Sequence, residues 1–167
     1  HISDIDPVYL EMCQKRHVFF MAKAELFSKK IGAWFFGKQL GAFPVKRGAG
    51  DTGAIDRARE IVNSGRLLGI FPEGTRSRDG QLGRAKSGTA LIASQTGAAV
   101  IPVAIKTKGQ KVRPFQKTFL LIGPALTLEE LHLDNPEHPD LRYASRKLME
   151  VIGEMLERTV TGQEEKA

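Results

Sequence analysis

Residues 67–77 have the sequence LLGIFPEGTRS, in which an apolar run is followed by a polar turn. The apolar run from Leu67 to Phe71 has the length of a buried strand, and Pro72 and Gly74 then force a turn. In α/β sheets, ligands bind outside the carboxyl ends of strands. A turn there with free backbone N–H groups, hydroxyls and a guanidinium suits a phosphate or a carboxylate. Alone, the stretch predicts either such an anion site or an ordinary polar turn.

Strands and helices alternate on both sides of this turn. Apolar runs predict strands at residues 18–22, 41–47, 67–71, 99–105 and 118–122. Helical spacing and capping residues predict helices at residues 7–16, 54–64, 88–96 and 141–159. The alternation predicts a single-domain α/β fold with a mixed, mostly parallel sheet covered by helices. We expect the domain to span residues 1–160, followed by a disordered tail at 161–167.

The composition of the chain excludes several classes of protein. The chain of 167 residues fits one domain with a substantial core. Its single cysteine, Cys13, excludes an internal disulfide framework and a thiolate metal cluster. His17, His132 and His138 lack ligand-like spacing, so we expect no metal site. No apolar run reaches the 18 residues of a membrane span, and no signal peptide is present. Because the chain begins with histidine rather than methionine, we expect an N-terminal segment to be missing.

Charge is distributed unevenly along the chain. Residues 1–122 contain 20 Lys or Arg against 9 Asp or Glu, whereas residues 123–167 contain 5 against 10. The basic excess therefore accompanies the candidate site and predicts an anionic partner, either a membrane surface or a phosphorylated ligand. We expect no nucleic acid, because the sequence has no RNP-like aromatic motif, no zinc-finger pattern and no long basic helix.

Residues 1–7 have the sequence HISDIDP, which places a histidine five residues before an aspartate. Asp6 and Pro7 suit the N-cap and the first position of a helix. A spacing of five does not put His1 and Asp6 on one face of a continuous helix, but the two can meet across a loop-to-helix corner. A carboxylate bonded to one imidazole nitrogen leaves the other nitrogen as a base. The stretch therefore predicts either a plain helix start or a histidine–aspartate pair.

Residues 48–53, GAGDTG, match the GxGxxG pattern of dinucleotide-binding loops and precede a predicted helix. However, Lys46 and Arg47 separate these glycines from the preceding strand, where the dinucleotide fingerprint needs a tight strand-to-glycine turn. Asp51 or Thr52 makes a good N-cap for the helix. We therefore interpret the glycines as a linker into a capped helix.

Four short motifs follow one another along the chain in a characteristic order. They are HxxxxD at residues 1–6, GxFPVKR at 41–47, FPEGTRS at 71–77 and VIPVAI at 100–105. Together they closely resemble the glycerolipid acyltransferase family, which comprises the lysophosphatidate acyltransferases and their relatives. The resemblance covers residues 1–122 and implies a glycerol-3-phosphate acyltransferase-like fold. FPEGTRS is its most specific part.

The resemblance also implies roles for individual residues. His1 would be the general base that removes a proton from the acceptor hydroxyl, and Asp6 would orient it. The alkoxide would attack the thioester of acyl-CoA or acyl carrier protein, which act as co-substrates, with no cofactor. Arg47 would hold the acceptor's phosphate. The residues implied to bind the glycerol phosphate part belong to the third motif: Glu73, Gly74, Thr75 and Arg76. We expect Arg47, Glu73 and Arg76 to converge on one pocket with His1 at its rim.

The implied function is acylation of the lysophospholipid 1-acylglycerol-3-phosphate to phosphatidate by a protein that is peripheral to, or anchored at, the cytoplasmic face of a membrane. The same phosphate-binding residues would also bind glycerol-3-phosphate or another lysophospholipid as the acceptor. An alternative of a different class is a non-catalytic binder of anionic lipid, which would need Arg47 and Arg76 but not His1. A nucleotide-dependent enzyme using the loop at Gly48 is a third possibility.

Overall fold

A computed structural model of the chain describes residues 6–24, 41–45, 52–77, 80–107 and 118–161. In chain order, the elements within these ranges are α1 (Asp6–Met12), β1 (Val18–Lys23), β2 (Ala42–Val45), α2 (Thr52–Asn63), β3 (Leu67–Gly69), α3 (Gly88–Thr96), β4 (Val103–Thr107), β5 (Thr118–Ile122) and α4 (Leu141–Thr161). Chain contacts divide the fold into two units. Of the described residues, those between 7 and 70 form one, and those between 71 and 161 form the other together with Asp6.

The first unit is built on a parallel sheet in which β1 lies between β2 and β3. Phe20, near the middle of β1, pairs with residues of both neighbouring strands and is almost completely buried. The helix α2 packs against the sheet through Ala54, Ala58 and Ile61, which recur at helical spacing on one face. Because the strands are parallel, the carboxyl ends of β2 and β3 lie at the same edge of the sheet. In sequence, β2 ends within the second motif, at Val45, and β3 ends at Gly69, two residues before the third motif.

The helix α1 is shorter than predicted, ending at Met12 rather than near Arg16. The reason is a contact between its last turn and the start of β1. The carboxylate of Glu11 accepts a hydrogen bond from the Val18 N–H over 3.0 Å and pairs with the Nδ1 atom of His17. The intervening residues therefore turn the chain into β1 instead of continuing the helix.

The second unit contains the antiparallel strand pair β4–β5. The helix α4 packs against β4. Its core combines residues of α3, α4 and the segment between β5 and α4, namely Ala90, Ala93, Leu126, Leu131, Leu133, Ala144 and Leu148. The strand β4 begins at Val103 and not at residue 99 as predicted. Pro102 has no N–H for strand pairing, and Val100 instead forms an isolated bridge with Leu126.

The remaining helices follow the predictions closely. As predicted, α3 runs from Gly88 to Thr96. α4 begins at Leu141, after Asp140 accepts a hydrogen bond from the Tyr143 N–H over 2.8 Å. It extends two residues beyond the predicted end. In the part of the chain that the structure describes, no helix is both long and apolar enough to cross a membrane.

Thr127 and Glu130 form a reciprocal pair of hydrogen bonds in the segment before α4. The Thr127 N–H donates to Glu130 Oε2 over 2.7 Å, and the Glu130 N–H donates to Thr127 Oγ1 over 3.2 Å. The bond from the Thr127 backbone, followed by that from its side chain, lowers the pKa of Glu130 from its ordinary value of 4.5. Because the pKa is lower in the folded protein, this stabilisation is complete above the unfolded value and is lost as the pH falls through the folded value.

Glu130→Gln is therefore expected to lower the free energy of unfolding more at pH 7 than at pH 3, because the native carboxylate becomes increasingly protonated as the pH falls. Urea unfolding at both pH values measures the difference between variant and wild type. Glu129→Gln, at the exposed neighbouring position, is the matched control. A Glu130→Gln effect of equal size at pH 3 and pH 7 would contradict the assignment.

Candidate functional site

The FPEGTRS segment forms a tight turn directly after β3 along the chain. The Gly74 N–H donates to the Phe71 carbonyl over 3.0 Å. Gly74 has φ of 65°, a left-handed conformation that side-chain-bearing residues adopt only with strain. Pro72 supplies the fixed φ that starts the turn. The sequence prediction of a turn at Pro72 and Gly74 is confirmed.

A second loop, residues 80–87, is fastened to this turn by two hydrogen bonds. Oε2 of Glu73 accepts from the Gly83 N–H over 2.8 Å, and the Lys86 N–H donates to the Pro72 carbonyl over 2.8 Å. Glu73 is correspondingly buried, with 8% of its surface exposed. The fit is close, since a Cβ added at Gly83 would lie 2.9 Å from the same Oε2 atom. Glu73 therefore supports the turn from within.

Two of the remaining polar side chains of the turn face solvent. Thr75 and Arg76 are exposed. The side chain of Lys86 lies across Gly74, because a Cβ at Gly74 would be 3.0 Å from Lys86 Cδ and 3.2 Å from Nζ. The turn thus combines a buried carboxylate with an outer surface of hydroxyl, guanidinium and ammonium groups. Such a surface suits an anionic ligand.

Asp6 is the first residue of α1 and is completely buried, with 0% of its surface exposed. A carboxylate that is buried away from water needs hydrogen bonds or opposite charges to compensate for its lost hydration. The buried Asp6 carboxylate therefore costs more free energy than a carboxylate at an exposed helix N-cap. The predicted helix start is confirmed to within one residue. His1 and Arg47 lie outside the described residues. The expected convergence of His1 and Arg47 with Glu73 and Arg76 therefore stays a prediction.

Two contacts of the turn had no counterpart in the sequence interpretation. Neither Gly83 nor Lys86 belongs to the four motifs. The glycines at 80 and 83 signal a loop but not which N–H meets the Glu73 carboxylate. Within the described ranges, no group of three or more His, Cys, Asp or Glu side chains is arranged to hold a metal ion.

Comparison with known proteins identifies the family to which the chain belongs. The Acyltransferase family matches residues 1–106, which include all four motifs. The chain belongs to this family, among the glycerolipid acyltransferases, as the resemblance of its motifs predicted.

Named relatives have similar sequences. The chain is 33% identical over 116 residues to the chloroplast 1-acyl-sn-glycerol-3-phosphate acyltransferase LPAT1 of Arabidopsis thaliana, a match that covers 68% of this chain and 32% of the relative. It is 34% identical over 125 residues to a 1-acyl-sn-glycerol-3-phosphate acyltransferase of Bacillus subtilis, which covers 72% of this chain and 60% of the relative. The chain thus spans between a third and three fifths of these relatives.

A solved structure confirms the fold. The crystal structure of the 1-acyl-sn-glycerophosphate acyltransferase PlsC from Thermotoga maritima superposes with a TM-score of 0.67 at 24% sequence identity. The superposition covers 95% of this chain and 62% of that protein. The predicted α/β class, with parallel strands and covering helices, is confirmed. The predicted domain limits at 160 and 161 stay a prediction.

Proposed function

We propose that this domain transfers a fatty acyl group from acyl-CoA or acyl carrier protein to the free hydroxyl of 1-acylglycerol-3-phosphate, giving phosphatidate. The observation that carries the proposal is the turn at residues 71–77, where buried Glu73 supports a surface that presents Thr75 and Arg76. Membership of the glycerolipid acyltransferases supports the same reaction class. The names of the two relatives support this acceptor.

In the proposed reaction, His1 accepts the proton of the acceptor hydroxyl, and Asp6 holds the imidazole in the required tautomer. The hydroxyl oxygen forms a bond to the thioester carbonyl carbon, and the carbon–sulfur bond breaks. The imidazolium then returns its proton to the departing thiolate, so protons balance and no oxidant or cofactor is needed. A positioned base contributes about 10²- to 10⁴-fold to the rate. Holding hydroxyl and thioester together supplies much of the remainder, with effective molarities of about 10⁵ M or more.

The acceptor headgroup is assigned to the basic residues of the second and third motifs. We propose that Arg47 and Arg76 bind the phosphate, because planar guanidinium groups match phosphate oxygens with paired hydrogen bonds. Thr75 supplies its hydroxyl group beside them, and Gly74, with φ of 65°, permits the turn that carries these side chains. Glu73 contributes by keeping the turn in shape, since its Oε2 is bonded to the Gly83 N–H.

We place the protein at the cytoplasmic face of a membrane, peripheral or anchored. The basic excess of residues 1–122 favours attraction to anionic lipid, and the proposed acceptor is itself a lipid.

The test is acyl transfer by the full-length protein to lysophosphatidate in mixed vesicles, with acyl-CoA and acyl carrier protein compared as donors. Mass spectrometry should detect phosphatidate that forms in proportion to enzyme and time. Glycerol-3-phosphate and other lysophospholipids, assayed in parallel, should have lower kcat/KM. Binding of lysophosphatidate without product from any acceptor would contradict the proposal and favour the lipid-binding alternative. Stoichiometric NAD or ATP binding without transfer would favour the nucleotide-dependent alternative.

A further inference from the structure

We infer that Lys86, which lies outside the four motifs, is a ligand of the acceptor's phosphate and sets a preference for acceptors with a strongly anionic headgroup. This inference rests on the proposed function and identifies a specificity residue in the same site. It concerns only residues of the turn at 71–77 and of the loop at 80–87.

The backbone of Lys86 is held in a defined place against the turn. Its N–H donates to the Pro72 carbonyl over 2.8 Å, and three residues earlier the Gly83 N–H donates to the Glu73 carboxylate over 2.8 Å. Two fixed points this close together restrict the loop between them. The lysine side chain therefore starts from a backbone position that is tied to the motif itself.

The side chain of Lys86 extends over the turn rather than away from it. A Cβ on Gly74 would lie 3.0 Å from Cδ, 3.1 Å from Cε and 3.2 Å from Nζ of Lys86. The last three atoms of the side chain thus follow the backbone at Gly74. This places the ammonium group beside the residues that precede exposed Arg76.

The charge of Lys86 is available to a ligand. Lys86 is exposed, and it forms no ion pair with any residue in the described ranges. In contrast, Arg57, Arg59 and Lys147 each pair with a carboxylate one helical turn away. An ammonium group that extends over this turn and is not neutralised favours binding of an anion there.

The expected ligand is a phosphate monoester rather than a diester. A lysine is a point charge, so its attraction to the headgroup grows with the headgroup's negative charge. A monoester carries more negative charge near neutral pH than a diester, and a zwitterionic headgroup such as phosphocholine carries none overall. Lys86 should therefore discriminate among lysophospholipids, whereas the chemistry at the hydroxyl is unaffected.

The experiment compares Lys86→Met and Lys86→Arg with Arg84→Met in the full-length protein. Arg84 is an exposed cation in the same loop and serves as the matched control. Lys86→Met should raise KM for lysophosphatidate by about 10- to 100-fold, the usual range for one hydrogen bond to a charged group. It should change kcat and the donor KM by less than about threefold. Lys86→Arg should recover most of the affinity, and Arg84→Met should resemble wild type.

A second acceptor separates specificity from general damage. With lysophosphatidylcholine, Lys86→Met and wild type should have similar KM values, so the preference for lysophosphatidate collapses in the variant. An equal loss with both acceptors, or equal effects of Lys86→Met and Arg84→Met, would overturn the inference.

Equilibrium binding of lysophosphatidate, measured without an acyl donor, distinguishes failure of this inference from failure of the proposed function. Lys86-dependent binding by a protein that transfers no acyl group would retain the inference and reject the proposed function. Intact transfer with binding and KM independent of Lys86 would reject the inference and retain the proposed function.

Discussion

Replacing His1 with alanine is expected to lower kcat for acyl transfer by about 10²- to 10⁴-fold while equilibrium binding of lysophosphatidate is retained. The reason is that a neutral hydroxyl attacks a thioester poorly unless a positioned base accepts its proton during the attack. Removing a base that acts only in the transition state lowers kcat and kcat/KM together. Steady-state rates with saturating donor, measured beside vesicle binding of the acceptor, check both parts of this expectation.

Asp6→Asn should approach the His1→Ala effect, because an amide at this position no longer favours the imidazole tautomer that can accept the proton. Asp6 is completely buried, so the nearly isosteric asparagine is the appropriate change, and thermal unfolding must show that the variant is folded. Asp134→Asn, at an exposed carboxylate, is the control and should leave the rate unchanged. If His1→Ala retains wild-type kcat whereas Arg76→Ala loses lipid binding, the domain is a binder and not an acyltransferase.

Glu73→Ala is expected to raise KM for the acceptor by at least about tenfold and to lower the free energy of unfolding by about 1–3 kcal/mol. The energetic cost follows from leaving the partly buried Gly83 N–H without its acceptor. The effect on KM follows because the turn that carries Arg76 loses its internal support. Glu73→Gln retains an oxygen that can accept from Gly83 and should keep most of both properties.

Gly83→Ala tests the same contact from the opposite side. The added Cβ would lie 2.9 Å from Glu73 Oε2, so either the Glu73 carboxylate or the loop must move. The contact is therefore disturbed although the carboxylate is still present. This variant should reproduce the KM increase of Glu73→Ala. A Glu73→Ala protein with wild-type stability but a strongly reduced kcat would indicate instead that the carboxylate acts on the substrate directly.

Much of the fold could be predicted because local sequence specifies it. Apolar runs, capping residues and glycines defined β5, α3 and the start of α4 to the residue. Errors arose where a distant contact decided an element's end. The carboxylate of Glu11 binds Val18, seven residues on, and so ends α1 early, and Val100 pairs with Leu126 instead of extending β4. Neither pairing leaves a local pattern in the sequence.

The candidate site could be predicted only in part, again because some of its contacts leave no local pattern in the sequence. Order and spacing of the motifs identified the turn and its residues, Glu73 and Arg76 among them. They did not indicate that the Glu73 carboxylate meets a backbone N–H ten residues later, since a main-chain donor has no residue-type signature. The Lys86 side chain over Gly74 likewise depends on how that loop folds back.

The way in which the loop at 80–87 is fastened bears on protein engineering. Two hydrogen bonds to the turn use main-chain N–H groups of the loop, at Gly83 and Lys86. Residues 81, 82, 84 and 85 can therefore be randomised without removing either attachment, provided that Gly83 is kept, because its N–H and its lack of a Cβ both matter. A small combinatorial library at these four positions would alter the charge and size of the loop while both main-chain attachments and Lys86 are kept.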